Sequence, residues 1–308
     1  MSRSLFHRWP ALVAAVFAFS FAPAHAAVRV LACEPEWGAL AQELGGKLVD
    51  VAVATSALQD PHQIQAKPSL ISRARNADLV ACTGAELEIG WLPVLLQQSG
   101  NAKVQPGQPG NFAAADFVRK LDVPTQLDRA QGDIHAAGNP HIQTDPRNIA
   151  LVADALATRL QQIDPANAAQ YAQAHADFAK KWQAAIARWS AQAAPLRGTA
   201  VVSQHKAFVY LYDWLGMKEV AVLEPKPGVE PSAAHLQGVV ATLKGAPAKM
   251  VLFAAYQDSR PSDWIAKNAG LAVVKVPFTV GGSDAAKDLF GLFDDTVARL
   301  LAGAGAKP

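Results

Sequence analysis

Residues 249–277 read KMVLFAAYQDSRPSDWIAKNAGLAVVKVP. Two short apolar runs, Lys249–Ala254 and Ala272–Pro277, enclose the helical pattern Pro261–Ala269. Short Val-rich runs separated by one helix-length segment read as strand, helix, strand, and strands joined this way lie parallel. The pattern extends in both directions. Upstream, Thr199–Gln204 and Glu219–Leu223 are predicted strands, with helices over Ala207–Leu215 and Ser232–Leu243; downstream, a helix is predicted over Ala285–Leu301. Residues 196–308 thus form one α/β lobe.

A second lobe precedes it, over residues 27–163. Val28–Ala32, Leu48–Ala54 and Asp78–Cys82 are predicted strands, and Trp37–Leu44, Ser69–Asn76 and Ile89–Gln98 predicted helices. Residues 99–140, rich in Gly, Pro, Gln and Asn, read as irregular chain with one short strand. Asp145-Pro146 has the form of an N-cap followed by Pro at the first helical position, and opens a helix to about Gln162. Residues 165–193 carry Phe178, Trp182, Ile186 and Trp189 at helical spacing without an internal breaker. A helix of that length spans roughly 40 Å, enough to run along both lobes, so residues 164–195 are assigned as the linker. The predicted fold is α/β: two lobes, each a mainly parallel sheet flanked by helices, joined by one long backbone helix.

The first 26 residues are an address rather than part of the fold. Arg3 and Arg8 precede the apolar run Ala11–Phe21, and Ala24-His25-Ala26 has the small-x-small form of a cleavage site. The apolar run is short for a membrane span, and no later segment is long and apolar enough to be one. The mature chain is therefore expected to begin near Ala27, soluble and exported, without a lipid-bearing Cys at its start. Its 308-residue precursor is 51% hydrophobic and 18% charged, which excludes disordered, collagen-like and disulfide-framework classes. The formal charge of +2 falls to zero without Arg3 and Arg8, so nothing points to nucleic acid or an anionic membrane surface. Export also bears on Cys33 and Cys82, each ending an apolar run. A disulfide between adjacent strand ends and two small buried thiols are both compatible with the sequence.

Six histidines remain in the mature chain: His62, His135, His141, His175, His205 and His235. His62 follows the second predicted strand, His141 lies just before a capped helix, and His205 directly follows the first strand of the second lobe. Open parallel sheets bind ligands beyond the carboxyl ends of their strands, and neutral imidazole is a preferred ligand of zinc. Pro61 and Pro140 fix the backbone immediately before two of these rings. His175 is expected on a solvated helix face, His235 in a structural role, and Lys206 facing solvent; Glu86 and Glu88 are expected to accept from backbone donors at a helix start.

Asp60-Pro61-His62 followed by Lys67-Pro68-Ser69, residues 132–141 followed by Asp145-Pro146, and Ser203-Gln204-His205-Lys206-Ala207-Phe208 together resemble the metal motifs of the zinc- and manganese-binding solute receptors of ABC importers, the TroA-like cluster A-I family. The resemblance covers essentially the whole mature chain and implies metal ligation by His62, His141 and His205. Many relatives have an Asp in a Thr-Asp step after the last strand, where this chain has Val280 after Thr279. The fourth position is left to His135, Asp284 or water. The resemblance implies a monomeric periplasmic receptor that hands Zn(II), less readily Mn(II), to a membrane permease. The alternatives are a secreted zinc hydrolase, since three His and an open position also suit catalytic zinc, and a surface adhesin on the same fold. Proton competition for the imidazoles is expected to weaken binding as pH falls through about 6.

Overall fold

The protein is described by a computed structural model over residues 26–125 and 135–306. The address segment before Ala26 and residues 126–134 of the irregular stretch lie outside these residues.

In the first lobe, β1 (Val28–Ala32), β2 (Val49–Val53), β3 (Leu79–Cys82) and β4 (Asn111–Ala113) form a sheet ordered β2-β1-β3-β4. In the second, β5 (Ala200–Ser203), β6 (Lys218–Val222), β7 (Met250–Ala254) and β8 (Ala272–Val276) are ordered β6-β5-β7-β8. All six pairings are parallel. β3 and β7 are buried along their whole length, as strands covered by helices on both faces must be. The covering helices are α1 (Pro35–Gly45), α2 (Pro68–Asn76), α3 (Leu92–Ser99) and α4 (Pro146–Ile163), then α6 (Val209–Leu215), α7 (Ala233–Gly245), α8 (Arg260–Ala269) and α9 (Leu289–Gly303), with α5 (Ala168–Gln192) between the two sets.

Four helices start two or more residues later than their apolar pattern suggests: α6 by two residues, α5 by three because Pro165–Asn167 forms a separate 3-10 turn, and α3 and α9 for the reasons that follow. α3 begins at Leu92 because Gly84, Ala85 and Glu86 adopt consecutive positive φ values of 75°, 49° and 67° and turn the chain first. α9 begins at Leu289 because the Asp288 carboxylate caps it, accepting from the Gly291 N–H at 2.7 Å. The preceding residues close a turn in which the Gly281 N–H donates to the Ala286 carbonyl at 2.7 Å.

α5 has 25 residues, about 37 Å of helix. It packs on α4 and α1 of the first lobe and on α9 of the second. The Trp182 Nε1–H donates to the Pro146 carbonyl at 2.8 Å, and the Trp189 Nε1–H to Asp294 Oδ1 at 2.6 Å. Phe178 stacks on Trp182, and Phe178, Trp182 and Trp189 meet Phe290 or Phe293 in edge-on or tilted contacts. As a result one apolar core runs without interruption from the β1 face through α1, α4 and α5 to β8 and α9. Smaller clusters lie under α2 and α3 and under α7 and α8. Among the described residues, no helix is long and apolar enough to cross a membrane.

Strand order reverses between β1 and β3 and between β5 and β7, and at such points the loops part to leave a crevice. At the first reversal Cys33 and Cys82, both buried, are joined in a disulfide with Cα atoms 4.7 Å apart. Three buried carboxyls lie around the same strand ends. Glu34 Oε2 accepts from the Thr83 N–H at 3.2 Å and from its hydroxyl at 3.0 Å; Glu88 accepts from the Thr83 N–H at 2.7 Å and the Gly84 N–H at 3.0 Å. The Glu36 carboxylate accepts from the Thr279 hydroxyl of the second lobe. Burial pushes Glu36 and Glu88 up to about 7, and burial with the Glu88 charge pushes Glu34 well above the usual carboxyl range.

A carboxyl raised from 4.5 to about 7 on folding binds more protons in the folded than in the unfolded chain across that window. Its contribution is full below the unfolded value and is lost as pH rises through the folded one. Glu36→Gln, which keeps an acceptor for Thr279 without the charge, should match the parent near pH 4.5. At pH 8 it should be more stable by about 1–3 kcal/mol. Chemical denaturation across pH 4.5–8 reads this directly, and parallel curves for the two proteins would refute it.

Candidate metal centre

Two of the expected ligands are presented by the same local device. In Asp60-Pro61-His62, Asp60 Oδ1 accepts from the His62 backbone N–H at 3.0 Å and pairs with the ring Nδ1 at 2.7 Å. In Asn139-Pro140-His141, Asn139 Oδ1 accepts from the His141 N–H at 3.0 Å and pairs with its Nδ1 at 2.9 Å. An Asx side chain bonds readily to the backbone two residues on, and proline between them fixes φ. Each imidazole is thus aimed within a tripeptide. The Asn139 amide is oriented by its other end, which donates to the Lys206 carbonyl at 2.7 Å. His205 is held differently: its Nδ1 pairs with Glu224 Oε2 at 2.7 Å, and the same oxygen accepts from the Gly228 N–H at 2.9 Å.

In all three cases an oxygen acceptor faces Nδ1, so Nδ1 carries the proton and Nε2 keeps a free lone pair. Nε2 of His62 and of His141 is buried and without a hydrogen-bond partner. A buried polar atom left this way costs free energy unless something else binds it. The three rings converge, with centroids 5.5 Å apart for His62 and His141, 5.8 Å for His62 and His205, and 5.2 Å for His141 and His205. One ring nitrogen from each lies within 4.8 Å of the others. Nitrogens about 2.0–2.1 Å from one tetrahedral ion stand closer together than that limit, so at most a small closure brings the trio onto a common ion. Burial, then the neighbouring imidazoles, push His141 well below its ordinary 6.5.

His135 stands beside this trio. Its ring centroid is 5.4 Å from that of His62 and 6.5 Å from that of His141. Burial, then His62 and His205, lower its pKa to about 4. Its segment is pinned by the positive-φ turn, since the Glu86 carboxylate accepts from the Ala136 N–H. Asp284 is exposed in the turn before α9. Neither His135 nor Asp284 belongs to the set of nitrogens within 4.8 Å.

The segment after β8, where the family resemblance implies an acid, is turned inward. Thr279 bonds to Glu36, Val280 packs against the core, and Phe278 walls the site with its ring centroid 5.7 Å from that of His141. Phe278 has φ 72°, a conformation rare for a bulky residue and characteristic of functional sites.

The other candidates lie outside the trio. His175 is not on a freely solvated face: its Nε2 lies 2.7 Å from Asp154 Oδ1, because Asp154 on the adjacent α4 faces it. Lys206, expected to face solvent, is half exposed and pairs with Asp122 Oδ2 at 3.0 Å on the rim. His235 lies in the first turn of α7, its backbone N–H donating to the capping Ser232 hydroxyl at 3.2 Å, while its ring Nε2 is buried without a hydrogen-bond partner and stands apart from the trio. Glu86 and Glu88 do accept from backbone donors, but across a loop and within a turn rather than at a helix start. The residues the motif reading passed over are Asp60, Asn139 and Glu224. The repeated Asx-Pro-His spelling carries the first two; nothing local to Glu224 signals the third.

Two parallel sheets sharing one long helix, with the crevice between them lined by imidazole, is the build of a metal-binding solute receptor. A ZnuA crystal structure superposes with a TM-score of 0.72 at 22% identity, covering 89% of this chain and 99% of that one. A cadmium-bound periplasmic metal-binding protein of Candidatus Liberibacter asiaticus superposes with 0.73 at 19% identity, covering 89% and 98%. The chain belongs to the family described as zinc-uptake complex component A, periplasmic, which it matches over residues 30–303. Among its curated relatives, the high-affinity zinc uptake system protein ZnuA of Paracoccus denitrificans is 25% identical over 262 residues, 74% of this chain and 76% of that protein. The zinc-binding lipoprotein AdcA of Streptococcus pneumoniae is 22% identical over 233 residues, 75% of this chain but 46% of that longer protein. The manganese ABC transporter substrate-binding lipoprotein PsaA of S. pneumoniae is 20% identical over 245 residues, 78% and 76% of the two chains.

Proposed function

We propose that this protein is the periplasmic substrate-binding component of a metal ABC importer, capturing Zn(II) between its lobes with His62, His141 and His205 and delivering it to a membrane permease. The observation that carries the reading is the convergence of three buried imidazoles, two with orphaned Nε2 atoms. A site of nitrogen donors suits Zn(II) better than Mn(II), which prefers more oxygen. The fourth position falls to water or to His135, whose ring already stands beside that of His62. Asp284, exposed in its turn, is the weaker candidate.

His62 and His141 come from the first lobe and His205 from the second, so cargo ties the two halves together. Membership of a zinc-uptake receptor family favours this reading over a hydrolase or an adhesin. The mature chain should take up one Zn(II) per molecule in a competition titration against a chromogenic chelator. It should bind Mn(II) more weakly, and its zinc form should not turn over ester or peptide substrates. A chain that takes up no zinc, or a zinc form with turnover, would refute it.

A further inference from the structure

Three neutral imidazoles bring no charge to a dication, and the segment after β8, Thr279-Val280, offers no carboxylate and is turned into the interior. A doubly charged ion in a partly buried site needs compensation, because desolvated charge is costly unless paired. Among the described residues, two carboxylates face the trio from behind. Asp60 lies 2.7 Å from His62 Nδ1 and Glu224 lies 2.7 Å from His205 Nδ1, one on each lobe. His141 has the neutral amide of Asn139 in the same place.

We infer that Asp60 and Glu224 supply the cargo's counter-charge through the imidazoles, setting the site's preference for a divalent over a monovalent soft ion. The inference rests on the functional reading above. Two negative charges behind three neutral rings match the +2 of the cargo. One charge sits on each lobe, so only an ion that bridges the lobes meets both. Both are positioning residues in the ordinary sense as well, since a carboxylate accepting Nδ1–H fixes the tautomer and strengthens the Nε2 donor.

Asn139 separates the two roles. It orients His141 with an amide oxygen alone, so Asp60→Asn can keep both hydrogen bonds to His62 and lose only the charge. Glu224→Gln does the same for His205. Zinc affinity should fall roughly 10–100-fold in each variant, and further in the double variant. Affinity for Ag(I), a monovalent ion that also binds imidazole, should fall much less, so the Zn(II)/Ag(I) preference should drop. Circular dichroism and thermal unfolding of the metal-free variants establish that the fold is kept. Parent-like zinc affinity in the charge-neutral variants would overturn the inference, as would equal losses for the two ions, which mark a purely geometric role. A parent protein that takes up no zinc would instead overturn the functional reading, and this inference with it.

Discussion

Replacing His141 with alanine is expected to lower zinc affinity roughly 10²–10³-fold, since binding free energies of about 10–16 kcal/mol are shared among about four ligands. His62→Ala and His205→Ala should fall in the same range, and His135→Ala about tenfold or less, because that ring is beside the trio rather than in it. His141 is the most informative of the four. It is 1% exposed, and its neutral form is favoured well below the ordinary histidine range by burial and by its neighbours. Proton competition at this ligand therefore sets in at lower pH than the value near 6 expected of a free imidazole. The sign follows from protonation opposing metal: affinity is full above the imidazole's own pKa and is lost as pH falls through it. Titration at pH 7.5, 6.5 and 5.5 tests both points, with circular dichroism to show that each variant is folded. A His141→Ala protein with parent-like affinity would remove the proposed site altogether.

Loss of the Cys33–Cys82 disulfide should produce the largest change in stability. The crosslink joins residues 49 apart in sequence, and the chain-entropy account assigns a loop of that size about 4 kcal/mol. Spread over a domain-pair of this length, that corresponds to a fall in Tm of about 7 °C. Both sulfurs are buried, at 0% and 3% exposure for the two residues, so a thiol reductant should act slowly on the folded protein and faster once it is partly unfolded. Thermal scans of the oxidised protein beside protein reduced under denaturing conditions and refolded with its thiols blocked from reoxidation would measure the difference. Coincident transitions would show that the bond contributes nothing. Both cysteines belong to the apolar cluster under α2 and α3 and neither is one of the three converging histidines, so zinc stoichiometry should be unchanged in whatever fraction remains folded.

Strand positions were legible because buried parallel strands are continuous apolar runs: β7, Met250–Ala254, is buried at all five residues and is plain in the sequence. Helix starts were less so. Ile89 looks like the beginning of a helix by composition, yet three consecutive positive-φ residues delay it to Leu92, and only Gly84 among them has the residue type that signals such a turn. The expected histidines were findable because each follows a strand or precedes a capped helix, and the structure brings His62, His141 and His205 together. What tunes them was partly hidden. Asp60 and Asn139 sit two residues before their rings and can be read as a repeated tripeptide. Glu224 meets His205 from 19 residues away, across the β5–β6 pairing, and no local pattern reports that. The inward turn of Thr279 and Val280 was likewise invisible, because it depends on a buried acid, Glu36, 243 residues distant.

The uninterrupted apolar core has a consequence for what counts as a unit in this molecule. Trp182 and Trp189, on the helix between the sheets, contact Phe290 and Phe293 near the far end of the chain, while Trp182 bonds to Pro146 in the first half. Neither half closes its own interior. Cut apart, each would present a broad greasy surface to water, and the two would melt as one cooperative body when left joined. The sequence repeats an architecture, but the repeats are not autonomous modules, and whatever yielding accompanies capture and surrender of an ion is left to the segments bordering the crevice.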